Sequence, residues 1–180
     1  VMLGGGCAGK TAAVIRFVKD SFFESYDPTI MDTYDTRVTT DGATVDVTIT
    51  DTCGQEDFTK EDTPTFPNPD AMMLFFDPRD DCYLAEVRDH ITVVERISRK
   101  RNAPVPVVLV GTKADLLQND GVAKGFAEFL AEPPFPFIQT SSLTGENIAE
   151  AFQMVVSLAI EQAGNPPTAP AQPAKGDKCV

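Results

Sequence analysis

The chain has 180 residues, 42% of them hydrophobic, which suits the core of one ordinary domain and leaves no room for two. A net charge of −12 and a pI near 4.4 exclude nonspecific binding to a nucleic-acid backbone, which needs clustered Lys and Arg, so any anionic ligand must be held by a local site. The four cysteines (Cys7, Cys53, Cys82, Cys179) are scattered without a close pair, which argues against a disulfide framework or a zinc site and leads to the expectation of a reducing, cytoplasmic setting.

In chain order, Val1-Met2-Leu3 reads as the last part of a strand, and its abrupt start leads to the expectation of a clipped N-terminus. Directly after it stands Gly4-Gly5-Gly6-Cys7-Ala8-Gly9-Lys10-Thr11, which fits G-x-x-x-x-G-K-[ST] and runs into a helical stretch near Ala12. Glycines let successive backbone N–H groups wrap phosphates, and the helix N-terminus adds its dipole. Lys10 can reach the outer phosphates and the Thr11 hydroxyl can ligate magnesium. The motif alone does not separate ATP from GTP.

The stretch from Arg37 to Thr50 alternates Val45, Val47 and Ile49 with Thr44, Asp46 and Thr48 behind an Asp41-Gly42 turn, the pattern of a hairpin. At its end, Asp51-Thr52-Cys53-Gly54-Gln55 offers three groups. The Asp51 carboxylate can hold a magnesium-bound water, the Gly54 N–H can reach a terminal phosphate, and Gln55 can orient an attacking water.

Short apolar runs predict buried strands at Ala71 to Phe76, Val105 to Val110 and Phe135 to Ile138. Helical spacing of Leu84, Val87, Ile91 and Val94 predicts one helix, on which His90 is expected at the surface. Ile148, Phe152, Val155, Val156 and Ala159 predict another, capped by Asn147 with Glu150 three residues on. Strands alternating with helices predict an α/β fold: a mostly parallel central sheet with one antiparallel edge strand and helices on both faces. Ligands of such sheets bind at the carboxyl ends of the strands.

Two loops at such ends point to a base. Gly111-Thr112-Lys113-Ala114-Asp115 follows one strand, and Asp115 can accept the ring N–H and exocyclic amine of guanine together, a donor pair that adenine lacks at that edge. The aliphatic stem of Lys113 can lie along the base. Thr140-Ser141-Ser142-Leu143-Thr144-Gly145 can present backbone N–H groups to the guanine carbonyl.

In order and approximate spacing, these elements resemble the Ras superfamily of small GTPases over nearly all of residues 1 to 162. Phe22 and the run Tyr26-Asp27-Pro28-Thr29-Ile30-Met31-Asp32-Thr33-Tyr34 resemble its first switch segment. The resemblance implies a P-loop GTPase domain over residues 1–163, with Pro-rich residues 164–180 as a flexible tail. It implies phosphate binding by Gly4 to Ala12, with Phe22 edgewise on the guanine and Phe23 and Glu24 near the ribose. Thr29 would ligate magnesium beside Thr11, Asp51 would hold it through water, and Lys10, Thr29 and Gln55 would serve hydrolysis. Gly54 would touch the terminal phosphate, Thr112, Lys113 and Asp115 would bind the base, and Ser141, Ser142 and Leu143 would support it. Exchange factors, GTPase-activating proteins and effectors are the implied partners, with GTP and GDP as ligands.

Several residues depart from that pattern. Thr112 replaces an asparagine but is common in Rho proteins, Cys7 and Cys53 replace smaller residues beside the phosphates, and Met31 replaces an acidic residue. Gly6 keeps a glycine that leaves room for Gln55 and an incoming arginine. Phe66-Pro67 resembles Rho, yet Leu116 to Ile138 is too short for the extra Rho helix. The ending Lys178-Cys179-Val180 resembles a shortened prenylation box, which would place the protein on the cytoplasmic face of a membrane. A hydrolysis-deficient, nucleotide-locked interaction module and a P-loop ATPase or nucleotide kinase are the rival readings, and Asp115 argues against the latter.

Overall fold

The computed structural model describes residues 1–23, 31–40, 42–54, 68–120, 126–131 and 133–164. The strands are β1 (Met2–Gly4), β2 (Met31–Thr40), β3 (Ala43–Thr52), β4 (Met72–Phe76), β5 (Val107–Gly111) and β6 (Phe137–Gln139). The helices are α1 (Lys10–Lys19), α2 (Tyr83–Arg101), α3 (Ala114–Asp120), α4 (Phe126–Ala131) and α5 (Ile148–Gly164). One six-stranded sheet runs β2-β3-β1-β4-β5-β6. Among the described residues only β2 and β3 pair antiparallel, from Met31 opposite Thr52 to Thr40 opposite Ala43, and every other pair is parallel.

Alternation along each strand decides which helix it meets. Met72, Leu74 and Phe76 of β4 join Val107 and Leu109 of β5 beneath Tyr83, Val87 and Val94 of α2. Met73 and Phe75 point the other way and join Val108 and Val110 against Ala13 and Val14 of α1 and Phe152 and Val155 of α5. Phe76, wholly buried, stacks on Tyr83 with ring centroids 5.4 Å apart and meets Phe129 edge-on at 5.8 Å.

Several boundaries differ from the sequence expectation. The strands expected from Val105 and Phe135 begin two residues later, because Pro106 and Pro136 have no N–H to donate. Their carbonyls instead accept from Met72 (2.9 Å) and Leu109 (2.8 Å). Strand β2 starts at Met31, not near Arg37, since the full ladder to Thr52 is paired. Helices α3 and α4 had no sequence signal. Asn147 does not act as an ordinary cap. Its backbone is left-handed (φ 54), its side-chain amide donates to the Gln139 carbonyl at 2.8 Å, and only its carbonyl starts α5, accepting from Ala151. His90 is half-buried rather than exposed, with Nδ1 2.6 Å from the Glu86 carbonyl oxygen, and burial lowers its pKa.

Truncating Phe76 to Ala removes the centre of the aromatic cluster and should cost about 3–5 kcal/mol. Urea unfolding of the purified domain followed by circular dichroism measures it, and a loss below about 1 kcal/mol would show that the cluster does not carry this face of the core.

Candidate functional site

The carboxyl ends of β1, β3, β4, β5 and β6 lie along one edge of the sheet, and every described site residue between Gly4 and Leu143 except Phe22 and Phe23 stands in or beside the loops there. The glycine-rich loop leaves β1 at Gly4, where an added Cβ would lie 2.3 Å from the Phe75 carbonyl oxygen, so the loop departs pressed against β4. Cys7 is exposed and left-handed at φ 59, and Gly9 is left-handed at φ 87 immediately before α1. A side chain in the conformation of Cys7 carries a backbone cost of about 1–2 kcal/mol that glycine would not.

Lys10 is 5% exposed, and its Nζ donates to the carbonyls of Gly4 (2.9 Å) and Gly5 (3.0 Å). Burial lowers its pKa, opposed by the charge of Asp51. The ammonium is thus held inside the loop by main-chain oxygens. Thr11 Oγ1 donates to Asp51 Oδ2 at 2.6 Å. Asp51 has no exposed surface, and its second oxygen, Oδ1, has no hydrogen-bond partner among the described residues. Burial raises the Asp51 pKa, while the Thr11 hydroxyl and Lys10 oppose the rise. A buried anionic oxygen without a donor, beside a hydroxyl, is the donor set a hard divalent cation takes. Gly54 closes this side of the site, since a Cβ there would fall 2.4 Å from the Gly5 carbonyl oxygen. Cys53 beside it is half-buried.

The base loops are tied to the same frame. Thr112 is buried, and its N–H and hydroxyl both donate to the Phe76 carbonyl (2.9 and 3.1 Å). A Cβ on Gly9 would rest 3.4 Å from the Thr112 methyl, so the phosphate loop runs close beside the base loop. Ala114 N–H donates to the Thr140 carbonyl at 3.0 Å, and the Ser141 hydroxyl donates to Asp115 Oδ1 at 2.5 Å. A carboxylate accepts about four hydrogen bonds, so Asp115 keeps capacity for a ligand. Ser141 is itself buried, and its N–H donates to the Glu146 carbonyl at 3.0 Å, so it braces Asp115 by its hydroxyl. Ser142 is half-buried and Leu143 half exposed.

Phe22 and Phe23 follow α1 as exposed aromatics. Gly6 is exposed, Gly5 and Ala8 are buried, and Ala12 is half-buried on α1. Glu24, Thr29 and Gln55, the Phe66-Pro67 pair and the tail with Cys179 lie outside the described residues.

Two residues of the site carry no motif. Asp77 at the end of β4 pairs with Lys113 Nζ at 2.9 Å and with Arg79 at 2.9 Å, and so holds the left-handed Lys113 (φ 57). Burial would raise the Asp77 pKa, but hydrogen bonds from Arg79 and Lys113 outweigh it and hold the carboxyl at about 2. Arg16 of α1 reaches the carbonyls of Ser142 and Leu143. The available signals were an acid directly after a buried strand and an arginine on the helix behind the phosphate loop, and neither names its partner.

Fold and site together define a phosphate-loop α/β nucleotide-binding domain. The chain belongs to the Ras family, whose family model matches residues 1–161. It is 33% identical to the Ras-related protein R-Ras of Rattus norvegicus over 98% of this chain and 82% of that protein. It is 35% identical to the Ras-like protein rasB of Dictyostelium discoideum over 87% of this chain and 79% of that one. With the Ras-related protein Ral-a of Drosophila melanogaster the identity is 31% over 84% and 75%. Membership makes it a small GTPase by class, with GTP and GDP as nucleotides and with regulators and effectors as general kinds of partner.

The Asp77 cluster predicts a pH dependence. Its folded pKa of about 2 lies below the ordinary 3.8, so the ionised carboxylate adds stability that is complete above about pH 4 and is lost as pH falls toward 2. Asp77→Asn should cost about 2 kcal/mol at pH 7. Denaturant titrations from pH 7 downward should show the gap to the parent narrowing below pH 4, and a gap constant with pH would contradict the pairing.

Proposed function

We propose that this chain is a magnesium-dependent guanine-nucleotide switch that hydrolyses GTP slowly and signals to effectors in its GTP state. The observation that supports it most is the joining of two half-sites. Lys10, Thr11 and Asp51 converge at the phosphate loop, Asp115 stands braced by Ser141, and Gly9 against Thr112 connects them. Asp115 accepts the two donors of guanine, Lys113 lies along its face, and the exposed Phe22 and Leu143 gain apolar cover from the bound nucleoside. Phe23 and Glu24 flank the ribose.

Thr11, Thr29 and, through water, Asp51 are the residues that would hold magnesium. When bound, the ion supplies positive charge that neutralises the β- and γ-phosphates. Lys10 exchanges its carbonyl partners for phosphate oxygens, and loop N–H groups from Gly5 to Ala12 donate to the same phosphates. Gln55 aligns the attacking water, and Gly54 and Thr29 hold their segments only while a terminal phosphate is present. Hydrolysis removes both restraints and shifts a two-state equilibrium that effectors read.

No arginine occurs from Phe23 to Ile30, so an activating protein supplies one, a contribution of about 10³–10⁵ in rate among Ras proteins. An exchange factor reloads the site, and lipid on Cys179 would bring the cytoplasmic protein to a membrane face. The exposed left-handed Cys7 favours one second reading, a nucleotide-locked interaction module that does not hydrolyse GTP.

Mass spectrometry of the nucleotide that copurifies should find GDP or GTP. Asp115→Ala should weaken GDP by about thirtyfold or more, the loss of charge-assisted hydrogen bonds of about 2 kcal/mol. Adenine nucleotide in the purified protein, or unchanged GDP affinity in the variant, would remove the guanine assignment. Single-turnover assays should give slow phosphate release, and none over hours would leave the locked module as the reading.

A further inference from the structure

We propose that Arg16 is a positioning residue for the guanine base, holding the base-supporting loop from behind and so setting how long a guanine nucleotide stays bound. This rests on the base site assigned above to Asp115 and residues 141–143.

Arg16 stands on α1, the helix that begins with Lys10. Its Nε donates to the Ser142 carbonyl at 2.8 Å, and Nη2 donates to the Leu143 carbonyl. The planar guanidinium presents its donors as a rigid fork, which suits two consecutive carbonyls as a single ammonium does not. Its side chain is 18% exposed, whereas the Asp20 carboxylate that it meets at 3.2 Å is 96% exposed. The carboxylate pair is therefore screened and weak, and the carbonyl contacts are the anchor.

Peptide planarity turns that anchor into a device for aiming donors. In a trans peptide the N–H points opposite to the carbonyl of the same unit. The Ser141 carbonyl accepts from Gly145 N–H at 2.9 Å, which fixes the direction of the Ser142 N–H. Arg16 fixes the Ser142 carbonyl, which fixes the direction of the Leu143 N–H. These are the two donors available to the guanine carbonyl. The remaining peptide is also set, because Thr144 N–H donates to the Ser141 hydroxyl at 3.2 Å, the group that braces Asp115.

One residue thus joins the helix behind the phosphate loop to the loop around the base. Without Arg16, the peptide between Ser142 and Leu143 can rotate, the guanine carbonyl loses a fixed donor, and the phosphate contacts stay as they were.

The test follows release of fluorescently labelled GDP from the full chain and its variants, with tripolyphosphate binding by calorimetry as the base-free control. Arg16→Ala should release GDP about tenfold faster or more, the scale of a lost charge-assisted hydrogen bond. Arg16→Lys should recover part of the loss, Asp20→Ala should match the parent, and tripolyphosphate affinity should be unchanged throughout. Parental release from Arg16→Ala while Asp115→Ala releases faster overturns the role of Arg16 and leaves the base site standing. Parental release from both overturns the base site as well. Equal weakening of tripolyphosphate by Arg16→Ala also overturns the proposal, since Arg16 would then only support α1. Should Arg16→Ala not fold, Arg16→Lys carries the same comparison, with a smaller acceleration expected against unchanged tripolyphosphate binding.

Discussion

A carboxylate with no exposed surface and one oxygen lacking a donor is costly to keep in a fold, and among the described residues Asp51 occupies that position at the end of β3. Its other oxygen takes the Thr11 hydroxyl, and Lys10 is close enough to oppose the burial that raises its pKa. The rest of the site is arranged around this carboxylate. The parallel pairing of Met2 with Asp51 sets the carboxylate beside β1, whose next residues open into the phosphate loop. The ammonium of Lys10, in turn, rests on the Gly4 and Gly5 carbonyls, neutral partners weaker than an anionic oxygen would be. Negative charge from Asp51 and from a phosphate would repel without a cation between them.

What the sequence made legible were features whose signal is local. The apolar runs of β4 and β5 lie on both-face-buried strands, where alternation is erased and continuous hydrophobicity remains. The glycine-rich loop, Asp51 and Asp115 are local signals too, and the structure sets them at or just beyond the carboxyl ends of β1, β3 and β5. Strand starts were misjudged where Pro106 and Pro136 sit, since hydrophobicity continues through a residue that cannot donate. Helices α3 and α4 are seven and six residues long, too short for a 3.6-residue period to declare itself. Asn147 carried the residue type of a cap, but tertiary contact with Gln139 decided its side chain.

Arg16 and Asp77 were illegible for a different reason. The loop carbonyls that Arg16 holds lie 126 and 127 residues away, and Asp77 binds Lys113 across the β4–β5 edge. Nothing in a window of sequence links such pairs. They also share a function in the fold. The motif residues of the loops are turn residues, Cys7, Gly9, Lys113 and Gly145 among them being left-handed, and such turns are held by what surrounds them. Asp77 holds Lys113 from the β4 side, and Arg16 holds residues 142 and 143 from the α1 side. The base half of the site is therefore braced by charged groups outside its loops, while the phosphate half is braced from within, by Lys10 on the Gly4 and Gly5 carbonyls and by close backbone packing at Gly4 and Gly54.

That contrast separates the places where the loops tolerate side chains from those where they do not. At Gly54 a single added carbon would meet the Gly5 carbonyl oxygen at 2.4 Å and the Gly6 nitrogen at 2.7 Å, both backbone atoms that cannot move without displacing the phosphate loop. Cys7 and Cys53 stand in the same neighbourhood but are exposed and half-buried, and the loop keeps its path with both thiols present. Cys7 accepts a strained left-handed backbone to do so. Both thiols are therefore accommodated without displacing the loop, Cys7 at the surface and Cys53 half-buried beside Gly54.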